Sequence, residues 1–593
     1  MRAIRWPLQF GFMKRFLLFV LVSVVVVLLV LFALRRQGGP ARSAAAGLLP
    51  SDTAFFFQIP DAEKNSEDWH RTELCALYRE PAVQAFLQKP KAQLLEQSEL
   101  VNAWRDAGKL RMRDAFIAAN SFDALRLVGG FEFRCSEKEA NVVIEGWKSR
   151  LLGKGENTQR STTDYEKYRI DVITGKVTLA STIAGNRFLT ATNIDDLKAL
   201  LDRVDHRVKT PALESDQNFR QAMKEMPANY AWVFYLQPKQ LGQKLSALRA
   251  QDGRALPPSG QTILERVRSL SHAMVFDGQK IREVDFAAMP RMFDAKLTRD
   301  TLSIASPDTF LYLATIINLQ QLDWNQMLGN AATGPAVAQI QALAQADITP
   351  DDWKAAFGDE VSLIADWPTS ARIPGVVATL TVRDSSRAKK IVNALAASSG
   401  WQSTVRNNVQ YFTAPIGGSA LAINPTVAVS DHLLVIGGDL ARVERAMLPP
   451  ANGGGLDRSP GFRSAAKLVS APQQMFAYID LGALYSRLDA TLRPILQMSA
   501  AFVPSMTEHV DPAKLPPVEV VTRHLSPVVA AQSYNGTGYR SESVGPITIG
   551  QTVGVAAVAW ISTTVWKNKT GATFPPPAAT SSSPAMPNPV PTP

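Results

Sequence analysis

Histidines, cysteines and one matched pair of arginines are the residues of this chain whose chemistry invites attention first. An imidazole can relay protons or bind a metal near neutral pH. The six histidines are His70, His206, His272, His432, His509 and His524. No two stand at i+2, i+3 or i+4, so no HExxH-type metal helix exists. Asp205 precedes His206 and Asp431 precedes His432. Neighbours in sequence project to different sides of an element, so neither carboxylate orients its imidazole. Surface or core histidines are the expectation.

Cys75 and Cys135 are the only cysteines, and no CxxC occurs. Zinc ribbons, iron–sulfur clusters and thioredoxin chemistry are therefore excluded on ligand count. Unpaired thiols are expected, with Cys75 a small apolar residue of a helix between Leu74 and Ala76. One disulfide is the alternative if the body lies outside the cytoplasm. Asp359 and Glu360 could hold a cation, although a solvated turn is the simpler reading. Arg220 and Arg463 recur beside Phe219 and Phe462. Such a pair could bind an anion, but a helix-surface arginine covering a core aromatic is the simpler reading.

The glycine-rich stretches do no better. Gly417, Gly418, Ser419 and Ala420 read as a turn between strands and lack the context of a nucleophile elbow. Gly175-Lys176 lacks the upstream glycine and following hydroxyl of a Walker A loop. Gly453, Gly454 and Gly455 follow Pro449 and Pro450 and read as a connector. No catalytic, cofactor-binding or metal residue is assigned, no cofactor is expected, and the reading leans away from an enzyme.

The elements that would position such residues are organised by an N-terminal apolar run. Phe16–Leu34, FLLFVLVSVVVVLLVLFAL, holds nineteen uncharged residues between Lys14-Arg15 and Arg35-Arg36. As a helix it would be ~28 Å long, enough to cross a bilayer core. A signal h-region is shorter and runs directly into its cleavage site, so an uncleaved signal anchor is expected. Residues 1–15 form its cytoplasmic flank, placed by the positive-inside bias.

The pI of 9.4 follows from the same flanks. Residues 1–42 carry seven Lys/Arg and residues 546–593 carry two, with no acid in either span. Removing those nine from the net charge of +10 leaves the middle at +1. A nucleic-acid footprint would be a patch on the folded body, so no nucleic-acid partner is expected.

The body is written twice. LLPSDTAFFFQI at 48–59 returns as IASPDTFLYLAT at 304–315, and Pro81-Ala82-Val83 as Pro335-Ala336-Val337. NIDDLKALLDRV at 193–204 faces GGDLARVERAML at 437–448. In 214–236 and 457–479, Phe219, Arg220, Ala222, Lys224 and Tyr235 align with Phe462, Arg463, Ala465, Lys467 and Tyr478. Residues 270–284 face 525–541, closing each copy with Asp277-Gly278 or Asn535-Gly536, dipeptides suited to type I′ hairpins. Collinear blocks of this kind mark duplication.

Each copy mixes apolar strands such as Met475–Ile479 and VVATLTV at 376–382 with amphipathic helices. The longest helical stretch is read over 82–118, broken or kinked at Pro90. The expected fold class is thus α+β: an N-terminal transmembrane helix, then two tandem similar domains at 48–300 and 305–545. Each domain is an antiparallel or mixed sheet packed by helices, and the two spans should superpose with one strand order. Ile547–Trp566 is a second membrane segment or a buried helix; Gly550 and Gly554 give it a close-approach spacing. Eight of the nineteen residues from Pro575 to Pro593 are proline, so 571–593 is expected to be a disordered tail.

LLPSDTAFFFQIPD, the W-x-x-T-x-L stretch from Trp69 followed by Pro81-Ala82-Val83-Gln84, FGDEVSL at 357–363 and GPITIGQ at 545–551 carry a resemblance. They resemble an uncharacterised bacterial family, a domain of unknown function, of membrane-anchored, internally duplicated envelope proteins of Verrucomicrobia- and Planctomycetes-like bacteria. The resemblance covers roughly 45–551 and implies a membrane-tethered, extracytoplasmic body without known catalytic residues. The functional expectation is a non-enzymatic binding or organising module of the cell envelope, with the membrane and an envelope protein as partners. A carrier of a lipid or other apolar ligand is the alternative, and a hydrolase with an unrecognised site is the second.

Overall fold

The computed structural model describes residues 44–97, 108–121, 126–152, 158–175, 178–239, 265–292, 294–317, 341–407, 409–414, 424–448, 455–502 and 511–551. The Phe16–Leu34 run, its flank 1–15, the span 552–566 and the tail 571–593 lie outside the described residues.

The first half supplies β1 (Phe55–Asp61), β2 (Arg113–Ser121), β3 (Arg126–Glu132), β4 (Gln159–Tyr165), β5 (Tyr168–Thr174), β6 (Leu179–Ala184), β7 (Arg187–Ala191), β8 (Trp232–Leu236), β9 (Ser269–Asp277) and β10 (Lys280–Ala288). The second supplies β11 (Thr309–Ile316), β12 (Phe357–Asp366), β13 (Gly375–Val382), β14 (Gln402–Arg406), β15 (Val409–Thr413), β16 (Thr426–Val429), β17 (Leu433–Gly437), β18 (Met475–Ile479), β19 (Val528–Tyr534) and β20 (Tyr539–Gly545). From the outer edge inward the first half reads β4-β5-β6-β7-β3-β2-β1-β8-β9-β10. From the centre outward the second reads β20-β19-β18-β11-β12-β13-β17-β16-β15-β14. The second order is the first reversed, strand for strand. β10 and β20 join the halves through an antiparallel register from Ile281↔Gly545 to Ala287↔Tyr539.

The expected fold class is corrected on this point. Among the described residues the halves share one continuous antiparallel sheet of twenty strands, not a sheet each, and none of the pairings there is parallel. The physical reason is at the seam: separate domains would leave β10 and β20 as open edges, and pairing them satisfies both. The membrane-helix part of the expected fold is corrected as well. Among the described residues no helix is long and apolar enough to cross a membrane.

Helices cover both faces. The first half contributes α1 (Ala62–His70), α2 (Glu73–Arg79), α3 (Pro81–Phe86), α4 (Gln88–Gln97), α5 (Glu137–Leu152), α6 (Ile194–Val204) and α7 (Gln217–Glu225). The second contributes α8 (Pro350–Ala356), α9 (Ser385–Ser398), α10 (Leu440–Met447), α11 (Pro460–Ala466), α12 (Leu481–Phe502) and α13 (Val518–Thr522). Side chains alternate across a strand, so β1 puts Phe56 into one core and Phe57 into the opposite one.

Matched helices begin on matched caps. Asn193 accepts from Asp195 N before α6, and Asp439 accepts from Arg442 N before α10. Asp216 caps α7 through Phe219 N at 2.8 Å, and Ser459 caps α11 through Phe462 N at 3.5 Å. Such caps satisfy amides that a helix start leaves open. The repeated phenylalanine then enters an aromatic cluster. Phe219 lies 5.7 Å from Phe56 and 5.0 Å from Tyr235; Phe462 lies 5.7 Å from Phe476 and 5.1 Å from Tyr478.

Two local expectations change. The helical stretch read over 82–118 is α3 and α4, and Arg113–Ser121 is a strand whose burial follows a period of two at Asp114, Phe116 and Ala118. Pro90 sits in the first turn of α4, where its missing N–H costs nothing. The hairpin turns are also not type I′, which needs two central residues with positive φ. In the first, Asp277 pairs with Lys280 and only Gly278 is left-handed, at φ 64°. In the second, Asn535 Oδ1 accepts from Thr537 N and Gly538 N while Gly536 turns the chain at φ 92°.

Candidate functional site

The structure scatters the chemical residues. His272 stacks on Trp232 with ring centroids 4.6 Å apart and meets Asp285 Oδ1 at 2.7 Å. His524 meets Glu80 Oε1 at 2.7 Å, beside an Arg523–Glu80 ion pair. His206 follows α6 in a left-handed conformation, at φ 55°. His432 sits in the turn between β16 and β17, and His70 ends α1. His509 lies outside the described residues, as do 415–420, Lys176, Gly453 and Gly454. Cys75 and Cys135 are both free thiols, Cys75 buried in α2. Among the described residues no three His, Cys, Asp or Glu side chains gather as a metal site.

Asp359 and Glu360 are neither a cation site nor a solvated turn. Glu360 is buried in β12 and accepts from Thr298 N, Thr298 Oγ1 and Arg299 N at 2.7–2.9 Å. Asp359 pairs with Arg383 at 2.7 Å. Both carboxylates are spent on holding the chain.

A polar groove of about 660 Å³ opens between α5 and the β4–β6 strands. Four of its charges neutralise one another. Lys148 reaches Asp171 at 2.6 Å and Glu145 at 3.2 Å, while Arg160 bridges the same two acids at 3.1 and 2.8 Å. Burial pushes the Asp171 carboxyl up, but Lys148 and Arg160 outweigh it and hold the group below its ordinary range. The tetrad ties the helix to the sheet and neutralises its own four charges, while Glu137, Lys167 and Arg169 also line the groove.

The surface that stands out is α12. Its twenty-two residues include none whose side chain is described as buried. Leu488, Leu492, Ile495, Leu496 and Met498 are exposed, Leu492 at 44%, Ile495 at 49% and Met498 at 61%. Positions 488, 492, 495 and 496 share one helical face by their three- and four-residue spacing. The other face is the one held down. Arg493 forks onto Asp489 at 2.6–3.1 Å and also donates to Leu515 O at 3.2 Å and Pro516 O at 2.6 Å. Arg487 Nε donates to Trp367 O at 2.9 Å. Such bidentate, charge-assisted contacts orient a helix firmly. A soluble helix ordinarily buries its apolar stripe; α12 is latched the other way round. The sequence reading missed it because a Leu/Ile stripe at helical spacing reads as core. The available signal was Arg487, Asp489 and Arg493 interleaved with that stripe.

No curated protein matches the chain. Solved structures titled as crystal forms III, I and IV of TP0453 resemble it at 10%, 10% and 8% identity, with TM-scores of 0.24, 0.23 and 0.25. They cover 43%, 43% and 42% of this chain and 82%, 81% and 81% of their own. The family model described as "Protein of unknown function (DUF3352)" matches residues 137–508, from the start of α5 past the end of α12. That span is more than half of the sequence and crosses the seam between the repeats, so the chain belongs to the DUF3352 family of proteins of unknown function.

Proposed function

We propose that this protein is a non-enzymatic binding or organising module of the cell envelope, with its body outside the cytoplasm and α12 seated against a lipid surface. The outward apolar face of α12 carries the reading. From Leu488 to Met498 its exposed residues are all uncharged: Leu488, Ala490, Leu492, Pro494, Ile495, Leu496, Gln497 and Met498. The acid of that stretch, Asp489, is turned away and neutralised by Arg493. Gln497 is the one polar side chain among those exposed residues. An acyl layer accepts such a face whatever its side-chain detail. Burying five apolar side chains would supply on the order of 5 kcal/mol, enough for reversible attachment.

The test is co-sedimentation of the purified protein with phosphatidylcholine vesicles. The wild type should pellet with lipid, and a Leu492→Glu, Ile495→Glu double variant should lose most of that binding with unchanged circular dichroism. Equal pelleting of the variant, or no pelleting of the wild type, would sink the proposal.

A further inference from the structure

A second surface lies on the seam between the repeats. A groove of about 600 Å³ is lined by Gln217, Arg220, Gln221 and Lys224 of α7, by Arg268, and by Gly536-Thr537 at the tip of the β19–β20 hairpin. Residues 217, 220, 221 and 224 share one helix face, so α7 presents both of its lining cations to one space. The hairpin tip is fixed beside them. Arg268 Nη2 donates to Thr537 O at 3.2 Å, and Arg540 Nε donates to Glu225 O at 3.4 Å. Among the described residues three cations thus line the groove and no carboxylate does. No hydrogen bond or ion pair engages the head group of Arg220 or Lys224 among the described residues. In the Glu145–Lys148–Arg160–Asp171 tetrad, by contrast, the two cations are neutralised by two acids.

The duplication supplies an internal comparison. The matched positions in the other repeat are Arg463 on α11 and Lys467 at its C-terminal cap, Ser526 before β19, and the Gly278-Gln279 turn. There the turn is capped by the start of α2: Glu73 N donates to Gln279 O at 2.8 Å. The Glu73 carboxylate then accepts from Ser526 Oγ at 2.6 Å and lies 3.5 Å from Lys280. That copy thus carries an acid beside its turn, on Ser526 and Lys280, where the first copy has Arg268 in place of the serine.

We propose that the Arg220–Lys224–Arg268 groove binds a phosphoryl anion. Guanidinium forks match tetrahedral oxyanions, and a di- or trianion balances three cations. The Gln217 and Gln221 amides and the Thr537 hydroxyl add neutral donors for the remaining oxygens. The phosphoryl group comes from a soluble phosphate compound or from a lipid head group, and this site is separate from the apolar face of α12.

The experiment titrates the full chain with inorganic pyrophosphate by calorimetry. It then measures pelleting with phosphatidylcholine vesicles with and without phosphatidylglycerol. Pyrophosphate binding that weakens about tenfold or more in an Arg220→Gln, Lys224→Gln variant identifies a soluble ligand. Loss confined to phosphatidylglycerol vesicles identifies a head group. The Arg463→Gln, Lys467→Gln variant removes the same charge from the matched positions and should leave binding unchanged. The Leu492→Glu, Ile495→Glu variant should also keep its pyrophosphate response, so failure of the α12 reading and failure of this one are told apart. The proposal is overturned if neither pyrophosphate nor phosphatidylglycerol binds through the groove, or if both charge variants weaken binding equally.

Discussion

Single residues carry the differences between the two copies. Gln58 is fully buried in β1, donates to Asp114 Oδ1 and accepts from Tyr230 Oη at 2.9 Å. Its matched position is Ala314, so this polar network belongs to one copy. Burial pushes the Asp114 carboxyl up, partly offset by the Gln58 bond. His272 is the titrating residue with the clearest consequence. Burial lowers its pKa, but the Asp285 hydrogen bond and the charges of Asp285 and Glu283 outweigh burial and leave the imidazole raised. A raised folded pKa means that the charged form is favoured by folding. The contribution is fully present below the unfolded value of about 6.5 and is lost as pH rises through the folded value. Thermal melts of the wild type should therefore lose stability from pH 6 to 8 relative to His272→Gln. Curves for the two proteins that stay parallel across that range would refute the assignment. The Arg220 side chain shows the limit of residue-level reading: its type and repetition are visible in sequence, its lack of a partner is not.

At the level of elements, two arginines clasp the halves together. Arg282 on β10 donates from Nη1 to Leu468 O at 3.1 Å, just beyond α11, and Arg540 on β20 donates to Glu225 O at the end of α7. Each runs from the closing strand of one repeat to the helix end of the other. A cation at a helix C-terminus also complements the exposed carbonyls there. Arg282→Ala and Arg540→Ala should each cost about 1 kcal/mol in urea unfolding, and the double variant should be near the sum. No measurable loss in either single variant would remove the clasp from the account. Glu542 supports the second arginine. Burial pushes its carboxyl up, but hydrogen bonds from Ser470 and the charge of Arg540 outweigh that and hold it low. Helix α12 belongs to the same scale, because its amphipathicity was readable and its orientation was not. The Arg493 contacts to Leu515 and Pro516, about twenty residues downstream, decide which face looks outward.

For the whole molecule, the seam is the decisive feature. β10 and β20 pair along seven positions, centred on Val284↔Glu542. A fragment of residues 44–292 would expose β10 as a bare edge. Such an edge recruits another strand, and the closed arrangement nearest at hand is a twofold pair of fragments imitating the native seam. Light scattering should find the fragment dimeric or larger. A stable monomer would show that the edge is protected some other way.

The sequence by itself determined the local grammar of this protein. Asp277-Gly278 and Asn535-Gly536 end strands because glycine alone turns there without strain. Asp216, Ser459, Asn193 and Asp439 start helices because their side chains reach the first open amides. The repeated Phe219 and Phe462 mark the same core position twice. Only the tertiary structure decided how the pieces join. Backbone groups on an edge strand pair with any suitable edge, and side-chain alternation does not say which, so the single sheet could not be read from two similar halves. The same holds for Glu360, spent on the amides of Thr298 and Arg299 some sixty residues earlier, and for the outward stripe of α12. Each depends on which distant groups come within hydrogen-bond reach, and that is a property of the packed chain.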